Sequence, residues 1–516
     1  MMTINYLNIT PYTVTFTWDY PLKDSLDKEF TVSIKGDGKE YNRYVTGRNA
    51  VTISGLEPGT SYEGTVEGAG TVWSIDFFTQ EGSSLNPLAF GALGDGIHDD
   101  TLAFQAAIAC LPKEGILRVT SGTYRVKPLF LKSNMTLVLE KEAHLMAEKD
   151  PSFYPMIPKM EEGRILGTWE GLESTIYASV ITAVGCENLT IAGEGIIDGN
   201  ADITNWWHSP KNTVPAARGR LVFLNQCRKV TMAGVTLQNS PSWTLHPFCS
   251  NELLFADLKI KNPDDSPNTD GLDPEFCQDV VLHSIHFSVG DDCIAIKAGK
   301  KELADHIRLC TKNVTIENCL MERGHGAVVL GSEMSGGIEN VHVKDCVFLD
   351  TDRGIRLKTR RGRGGAVKDI HCESVYMRNI GSAFVFNMFY FCDADGKTPP
   401  VQNKEALPLN EGTPELCNVH LENIEIDDLR NCFLFMYGLP ERWVNNVKLK
   451  GIKATAAQNP EPEFAAMMCD IDPMVHQGLF LRNVKDLEME DLQIDGFEKD
   501  LKGIDNVKLD GNGIAI

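Results

Sequence analysis

The sequence predicts an all-β protein in which a small β-sandwich precedes a long parallel β-helix. Two observations carry this prediction. From about residue 180 onward, one short strand pattern recurs at intervals of roughly 25–40 residues, within the range of solenoid repeats. Residues 1–80 instead hold short alternating strands that are separated by turn residues. Helical periodicity is nearly absent from both parts.

Length and charge narrow the functional classes. The chain has 516 residues, of which 42% are hydrophobic and 23% charged, with a net charge of −22. This length exceeds that of one ordinary domain, so a repeat array or an appended module is expected. The negative charge disfavours nucleic acid and anionic membranes as partners. The sequence leaves the oligomeric state open.

The lack of a visible targeting signal and the scattered cysteines favour a cytoplasmic protein. The N-terminal segment has no basic region followed by an apolar one, and no run of about eighteen apolar residues exists. The 14 cysteines are scattered, without metal-type spacing, and are expected to be reduced. Cys319 and Cys346 each lie five residues after a strand-start valine, which predicts stacking on neighbouring coils.

The first domain is predicted to span residues 1–80. Its strands include residues 14–18, 30–34 and 62–66, and an early Trp18 is expected in its core. Together with residues 55–62 (GLEPGTSY), these features resemble a fibronectin type III module. The resemblance implies a spacer or interaction platform, so no chemistry is assigned here, although the module could help to shape a cleft.

The second domain is predicted to span residues 81–516. Residues 90–101 and the helical pattern that follows resemble the N-terminal cap of pectin-lyase-like right-handed β-helices. Leucine-rich repeats are the main alternative, but their leucine spacing is missing. Two insertions, at residues 387–414 and 456–477, are expected to form loops that can wall off one end of a groove. The repeated strands are residues 188–191, 229–232, 279–282, 313–316, 340–343, 369–372, 418–421, 446–449 and 486–489.

Four short motifs carry the chemistry: residues 268–270 (NTD), 290–293 (GDDC), 324–326 (GHG) and 356–358 (RLK). Glycoside hydrolysis needs a protonated carboxyl group and, with inversion, a carboxylate that activates water about 6.5–9.5 Å away. Asp270, Asp291 and Asp292 can supply both groups. Crowding should raise the pKa of at least one of them. The alternative is that these acids cap turns of the β-helix.

In order, the four motifs resemble the active site of the polygalacturonases of glycoside hydrolase family 28. Residues 86–516 share the resemblance, which extends to residues 218–223 and 239–247. It implies that Asp291 is the general acid, that Asp270 and Asp292 hold and deprotonate the water, and that His325 tunes the acid. Gly290 stands where many fungal members carry glutamine, and bacterial exo-acting members look closer.

The same resemblance implies carboxylate recognition by Arg356 and Lys358. Both lie in a basic segment, residues 353–368, which provides a local cationic cleft in an acidic protein. Trp243 and His246 are open to two interpretations, a sugar subsite or core packing. The residues predicted to bind substrate are Asn268, Arg356, Lys358, Arg361 and Arg363.

We therefore expect inverting hydrolysis of α-1,4-galacturonosyl linkages in pectin fragments, with exo attack at the non-reducing end. Carboxylates perform both proton transfers, so neither a metal nor a cofactor is expected. Two alternatives within the class are an endo-polygalacturonase and a rhamnogalacturonan hydrolase. An alternative from another class is a non-catalytic β-helix that binds pectin. Calcium-dependent pectate lyases of the same fold are disfavoured by the GDDC and GHG motifs.

Overall fold

The computed structural model describes residues 4–36, 39–497 and 504–509. The predicted right-handed parallel β-helix is confirmed, as is the all-β class. Antiparallel strands continue up to Phe78, and Ser84–Leu85 already pairs in parallel with the β-helix. Residues 1–3, 37–38, 498–503 and 510–516 of the two predicted domains lie outside the described residues. Within the described ranges, no helix has the length and apolar character needed to span a membrane.

The N-terminal sandwich packs a three-stranded sheet on a four-stranded sheet, both antiparallel. Trp18 is 2% exposed and packs on Phe30 in its core, as predicted. The fibronectin type III resemblance stays a prediction. The three-stranded sheet comprises Ile4–Ile9, Thr13–Trp18 and Ala50–Ser54, and the four-stranded sheet comprises Phe30–Gly36, Lys39–Thr46, Ser61–Gly68 and Thr71–Phe78.

Three parallel sheets, here named sheets 1, 2 and 3, form the walls of the β-helix. Sheet 1 comprises Ser84–Leu85, Gly115–Val119, Met135–Leu139, Glu187–Gly193, Arg228–Ala233, Asn251–Ala256, Gln278–His283, Thr311–Glu317, Ile338–Lys344, Ala366–Glu373 and Glu415–Glu422. Sheet 2 comprises Asp95–Asp99, Gly122–Val126, Ala143–Ala147, Ile196–Asp198, Thr236–Gln238, Lys259–Lys261, His286–Ser288, Leu320–Gly324, Val347–Thr351, Tyr376–Arg378 and Glu425–Leu429. Sheet 3 comprises Leu129–Phe130, Ile181–Val184, Val222–Asn225, Leu245–Phe248, Asp292–Ile296, Gly326–Gly331, Arg353–Lys358, Ser382–Asn387 and Cys432–Tyr437.

The last coils and the insertions complete the chain. Val444–Ala456 passes from sheet 1 into sheet 2, and Gln477–Asp495 passes from sheet 3 through sheets 1 and 2. Ile504–Leu509 pairs with residues 481–487 of this long strand, in its sheet 3 and sheet 1 parts. The helices are Leu22–Ser25, Thr101–Cys110, Lys301–Ile307 and Pro399–Gln402, with 3-10 turns at Pro87–Phe90 and Pro151–Phe153. Short strands outside the three sheets are Met156–Ile157, Met160–Glu161, Arg164–Ile165, Thr168–Trp169, Leu172–Glu173 and Ile176–Tyr177.

A left-handed residue explains why Asn or Asp opens most of the repeats. Asn313, Asn340, Asn418 and Asn446 have φ between 52° and 56°, in the left-handed region that Asn tolerates better than most residues. Their side chains also bond to one another across coils, as in the 2.7 Å contact from Asn340 Nδ2 to Asn313 Oδ1. The sequence repeat therefore records a backbone turn as well as a ladder of amides.

Stacked aliphatic residues fill the interior, as a solenoid requires. Val280, Val314, Val341 and Ile370 are paired in register on successive strands of sheet 1, and each is at most 1% exposed. All 14 cysteines are free thiols. The predicted stacking of cysteines is confirmed for Cys319 and Cys346, which occupy the same position of neighbouring coils.

The sandwich lies against sheets 1 and 2, away from sheet 3. Arg48 approaches Asp257 Oδ1 at 3.5 Å, and Glu194 accepts hydrogen bonds from the backbone and hydroxyl of Ser54 at 2.9 and 2.6 Å. Leu22 is buried in a cluster with Leu320. The module is thus docked by an apolar contact and by buried polar contacts.

Candidate active site

The three predicted acids meet at the entrance to sheet 3. Asp270 lies on the coil before Asp291 and Asp292, because Leu272 pairs in parallel with Ile294. One side-chain oxygen of each acid lies within 4.8 Å of those of the other two. The expected gap of about 6.5–9.5 Å is therefore wrong when measured between these oxygens. Stacking on adjacent coils explains the short separation, since neighbouring strands are only about 4.8 Å apart.

Glycines make this convergence possible. A Cβ on Gly290 would lie 2.5 Å from the Ser266 carbonyl oxygen, so the chain can approach so closely only with glycine. A Cβ on Gly326 would lie 3.0 Å from Asp292 Oδ1, where the carboxylate needs the space. Gly324 adopts φ 149°, which confirms the predicted backbone freedom next to His325.

Two cations hold Asp292, and both come from the strand that lies two coils further along. Lys358 Nζ lies 2.7 Å from Asp292 Oδ2, and an Arg356 guanidinium nitrogen lies 3.5 Å from Oδ1. Burial raises the pKa of Asp292, but Lys358 and Arg356 outweigh it and lower the pKa to about 2. Asp292 is therefore an ionised carboxylate.

Asp270 and Asp291 have the opposite electrostatics. Burial raises the pKa of Asp291, and the charge of Asp292 raises it further, with His325 and Lys358 opposing. Burial also raises the pKa of Asp270 well above its usual range, followed by repulsion from Asp291 and from Asp273. The environment thus separates one ionised acid from two that retain protons more readily, which is the pattern of acid–base pairs.

His325 lies beside the acids and is held by a carboxylate. Its Nδ1 lies 2.8 Å from Asp352 Oδ2, and its backbone N–H donates to the Asp291 carbonyl at 3.0 Å. The hydrogen bond to Asp352 raises the pKa of His325 against the effect of burial. Asp352 is a residue that the sequence analysis missed, although it lies close to the RLK motif.

A second missed group lies beneath Asp270. Lys297 Nζ lies 3.7 Å from Asp270 Oδ2 and 3.4 Å from both Asp273 Oδ1 and Glu333 Oε2. The lysine is 4% exposed, and its ammonium group lies 4.5 Å from the centre of a Trp243 ring. Burial lowers the pKa of Lys297, but Glu333, Asp273 and Asp270 together raise it well above its usual range. The ammonium group is charged.

These groups line one cavity of about 380 Å³. Four inserted or connecting segments add to its wall: Glu170 and Lys211 on the side of the earlier coils, and Tyr390 and Met467 on the side of the later coils. Of the described residues that line the cavity, none comes from the N-terminal sandwich. The lining residues are Glu170, Lys211, Trp243, Asn268, Asp270, Asp291, Asp292, Lys297, His325, Ser332, Glu333, Asp352, Arg353, Arg356, Lys358, Tyr390, Cys392, Asp393 and Met467.

Two predicted substrate-binding arginines are not in the lining and require a correction. Arg361 makes a two-pronged ion pair with Glu441, at 2.6 and 2.8 Å, and also donates to the Asn403 carbonyl. Arg363 pairs with Asp393 and donates to the Ser332 carbonyl. Both side chains are under 10% exposed, since acids from the insertion at 387–414 and from a later coil neutralise them.

The remaining predicted residues divide between cavity and core. Asn268 lines the cavity, and its Oδ1 accepts a 2.6 Å hydrogen bond from Arg218. Trp243 also reaches the cavity, although it is only 4% exposed. His246 belongs to the core, because it is fully buried between Arg220 and Glu275.

Residues 166–411 match the family described as Glycosyl hydrolases family 28. Just under half of the chain thus matches this family. The match contains the acids, His325, Arg356 and Lys358. The family 28 resemblance of the sequence is thereby confirmed.

Similar proteins support the same assignment. The chain is 34% identical over 333 residues to a probable polygalacturonase of Vitis vinifera, covering 63% of this chain and 66% of that relative. The chain thus spans just under two thirds of that relative's length. A hyperthermoactive exopolygalacturonase from Thermotoga maritima has a TM-score of 0.67 at 26% identity, covering 80% of this chain and 92% of its own. A family 28 exopolygalacturonase of Yersinia enterocolitica has a TM-score of 0.72 at 20% identity, covering 100% and 99%, which supports the fold alone.

Proposed function

We propose that the protein hydrolyses α-1,4-galacturonosyl linkages of homogalacturonan oligomers, with inversion and from the non-reducing end. The observation that carries the proposal is the joint presence, in one cavity, of three clustered acids and the Arg356–Lys358 cation pair. The acids provide for hydrolysis, and the cations provide for a uronic acid.

Each acid has a role that fits its surroundings. Asp291, whose pKa is raised, protonates the leaving oxygen. Asp270 and Asp292 hold the water on the opposite side and accept its proton. His325, with its pKa raised by Asp352, adds positive charge next to the acid. Catalysis by this set requires neither a metal nor a cofactor.

Recognition of the substrate depends on the cations. Arg356 and Lys358 are 3% and 6% exposed, so a carboxylate that reaches them leaves bulk water and is bound strongly. Tyr390 offers an apolar surface next to these cations, since the centre of its ring lies 5.2 Å from the Lys358 ammonium group. A galacturonate ring, with a carboxylate on one edge and C–H groups on its face, suits this combination.

Exo attack is supported by the inserted segments at both ends of the cavity. Glu170 and Lys211 form a 2.8 Å ion pair between two segments on one side, and Met467 comes from the insertion at 456–477 on the other. A groove for endo attack would need to be open at both ends. The test is the viscosity of polygalacturonate against reducing ends released. Slow loss of viscosity is expected, and a rapid early drop would demonstrate endo cleavage.

Retention is a second candidate for the stereochemistry, favoured by the oxygen separation within 4.8 Å. We place inversion first because Asp292 is engaged by Lys358 at 2.7 Å, which weakens it as a nucleophile. Proton NMR of the first product decides between them. A β-anomer released initially from the α-linked substrate supports inversion, and an α-anomer supports retention.

A non-catalytic pectin-binding β-helix is excluded if the wild-type protein releases reducing ends from trigalacturonate. Asp291→Asn is the matched control, since it keeps the shape of the site and removes the acid. Turnover by the wild type that is lost in Asp291→Asn supports hydrolysis by this site. Equal activity of the two proteins would contradict it. The cytoplasmic location predicted from the sequence stays a prediction.

A further inference from the structure

Lys297 is a charged group of the cavity that the proposed mechanism does not use. Among the described residues, it is a buried lysine in contact with three carboxylates, Asp270, Asp273 and Glu333. Buried lysines are rare unless they are paired. Three acids on one cation exceed what pairing alone needs, so a purely structural ion pair does not account for the arrangement.

The backbone holds Lys297 in a fixed place. Its N–H donates to the Pro274 carbonyl at 3.0 Å, and its carbonyl accepts the Thr311 hydroxyl at 2.5 Å. The residue is thus tied to the coil before and to the coil after its own. The Trp243 ring covers the ammonium group on a further side.

Asp273 is a second buried carboxylate that contacts the Lys297 ammonium group. The acid is fully buried, and neither of its oxygens accepts a hydrogen bond among the described residues. Glu333 approaches the same ammonium group from the following coil. Asp273 and Glu333 therefore hold Lys297 from the preceding and the following coil, and Asp270 is the acid through which its charge reaches the three-acid cluster.

We propose that Lys297 is a positioning residue that acts through Asp270: its charge favours the ionised form of this acid, so that Asp270 accepts the proton of the water. The inference rests on the proposed hydrolytic function and deepens it. It distinguishes the two candidate bases, because Asp292 is already engaged by Lys358 and Arg356.

The electrostatics of the site give Lys297 a larger effect on Asp270 than on Asp291. Burial and the repulsion from Asp291 raise the pKa of Asp270, and Lys297 is the cation that opposes them most. At Asp291 the leading opposing cations are instead His325 and Lys358. Removal of Lys297 therefore raises the pKa of Asp270 more than that of Asp291. Charged and titratable groups from several coils face Lys297. The preceding coil contributes Asp270, Asp273 and Glu275, and the coil before that contributes His246. The coil of Lys297 itself contributes Asp291 and Asp292, and the following coil contributes Glu333.

The test uses the full chain with Lys297→Met in an Asp273→Asn background. The double variant removes one buried cation together with one buried carboxylate, which limits misfolding, and Asp273→Asn alone is its reference. On trigalacturonate we expect kcat to fall at least about 100-fold, as for loss of acid–base function, without a comparable change in KM. The low-pH limb of the kcat profile should move to higher pH, because Asp270 then protonates more easily.

Lys297→Arg separates charge from shape. It should keep the low-pH limb near that of the wild type, even if kcat is lower. Lys301→Met, on an exposed lysine that pairs with Asp305, controls for the loss of any lysine and should leave kcat unchanged. A structural role alone would lower Tm and kcat in Lys297→Met and leave the limb in place, which would overturn the proposal.

An infrared titration tests Lys297 without substrate. The C=O band of protonated carboxylic acids should persist to higher pH in the double variant than in Asp273→Asn, and further replacement Asp270→Asn should remove the difference. An unchanged band would overturn the inference. If the wild type fails to hydrolyse trigalacturonate, the proposed function fails, and the infrared result still decides whether Lys297 controls Asp270.

Discussion

At the scale of single residues, the proposed carboxylate-binding role of Arg356 and Lys358 has the clearest testable consequence. Replacement of either by alanine leaves the buried Asp292 short of one partner and the substrate carboxylate unpaired. We expect kcat/KM on trigalacturonate to fall by about 2–5 kcal/mol, or about 30- to 5,000-fold. Lys368→Ala is a matched control, since Lys368 pairs with Glu339 at 3.1 Å on the outer face of sheet 1. Near-normal kcat/KM in either variant would refute the role.

We expect Asp352 to control the alkaline limb of the kcat/KM profile through His325. In Asp352→Asn the hydrogen-bonded carboxylate is lost, so the pKa of His325 falls. If the protonated imidazole assists Asp291, activity should decline at lower pH than in the wild type on the alkaline side. The kcat/KM profile measures this shift. Asp350→Asn is the control, because Asp350 is exposed and bonds only to Asn379 among the described residues. An alkaline limb that does not move separates Asp352 from the chemistry.

The three acids are spaced closely enough for a metal ion, yet Lys297, Arg356 and Lys358 already neutralise them. We expect activity to survive prolonged treatment with EDTA followed by dialysis. Restoration of a lost activity by one added divalent cation would contradict the prediction that no metal is needed.

How far the site could be foreseen also becomes clear at this scale. Asp270, Asp291 and Asp292 were predictable because short motifs and one coil of separation bring them together. The burial of Lys297 was not predictable, since a lysine that follows an apolar strand is expected to be exposed at the end of that strand. Its burial depends on Glu333, 3.4 Å away in space but on the following coil. Partners from other coils leave no local signal.

At the scale of elements, the glycine-rich basic loop illustrates the same limit. Its arginines were expected to bind substrate because the loop is dense in positive charge. The acids that neutralise them, Asp393 and Glu441, lie in an insertion and on a later coil. The repeat itself was predictable in detail, because left-handed asparagines such as Asn313, Asn340 and Asn446 lie near the start of strands in sheet 1.

The corrected role of Arg361 is testable. Arg361→Ala leaves Glu441 without its guanidinium partner and frees the carbonyls of the insertion at 387–414. We expect a lower Tm, with a loss of about 3–5 kcal/mol for a broken buried pair, and an unchanged KM for trigalacturonate. Thermal unfolding and initial rates measure the two effects. A raised KM with an unchanged Tm would restore the original prediction that Arg361 binds substrate.

At the scale of the whole molecule, the sandwich is a docked support rather than a wall of the cavity. The sequence predicted the module and left its position open, because Arg48, Leu22 and Ser54 meet residues of the β-helix that are more than a hundred positions away. Such contacts follow from surfaces that only the folded domains present.

Arg48→Ala tests this docking. The guanidinium group lies 3.5 Å from Asp257, which is 6% exposed, so its loss leaves a buried carboxylate without that cation. We expect a lower Tm and easier proteolysis between the domains, with unchanged kcat/KM on trigalacturonate. Arg43→Ala, on an exposed arginine of the preceding strand, is the control. A fall in kcat/KM without a change in Tm would indicate that the module acts on the active site.

The stacking of Asp270 on the Asp291–Asp292 coil has one more consequence. Groups on successive coils are separated by the rise of the ladder, about 4.8 Å per step, and backbone hydrogen bonds fix that rise. Positions along the axis of the β-helix are therefore fixed at multiples of one strand spacing. A side chain can be replaced on any coil, but the axial position of a coil changes only when a complete coil is gained or lost. A substitution can therefore change the chemistry at one coil far more easily than the distance between coils.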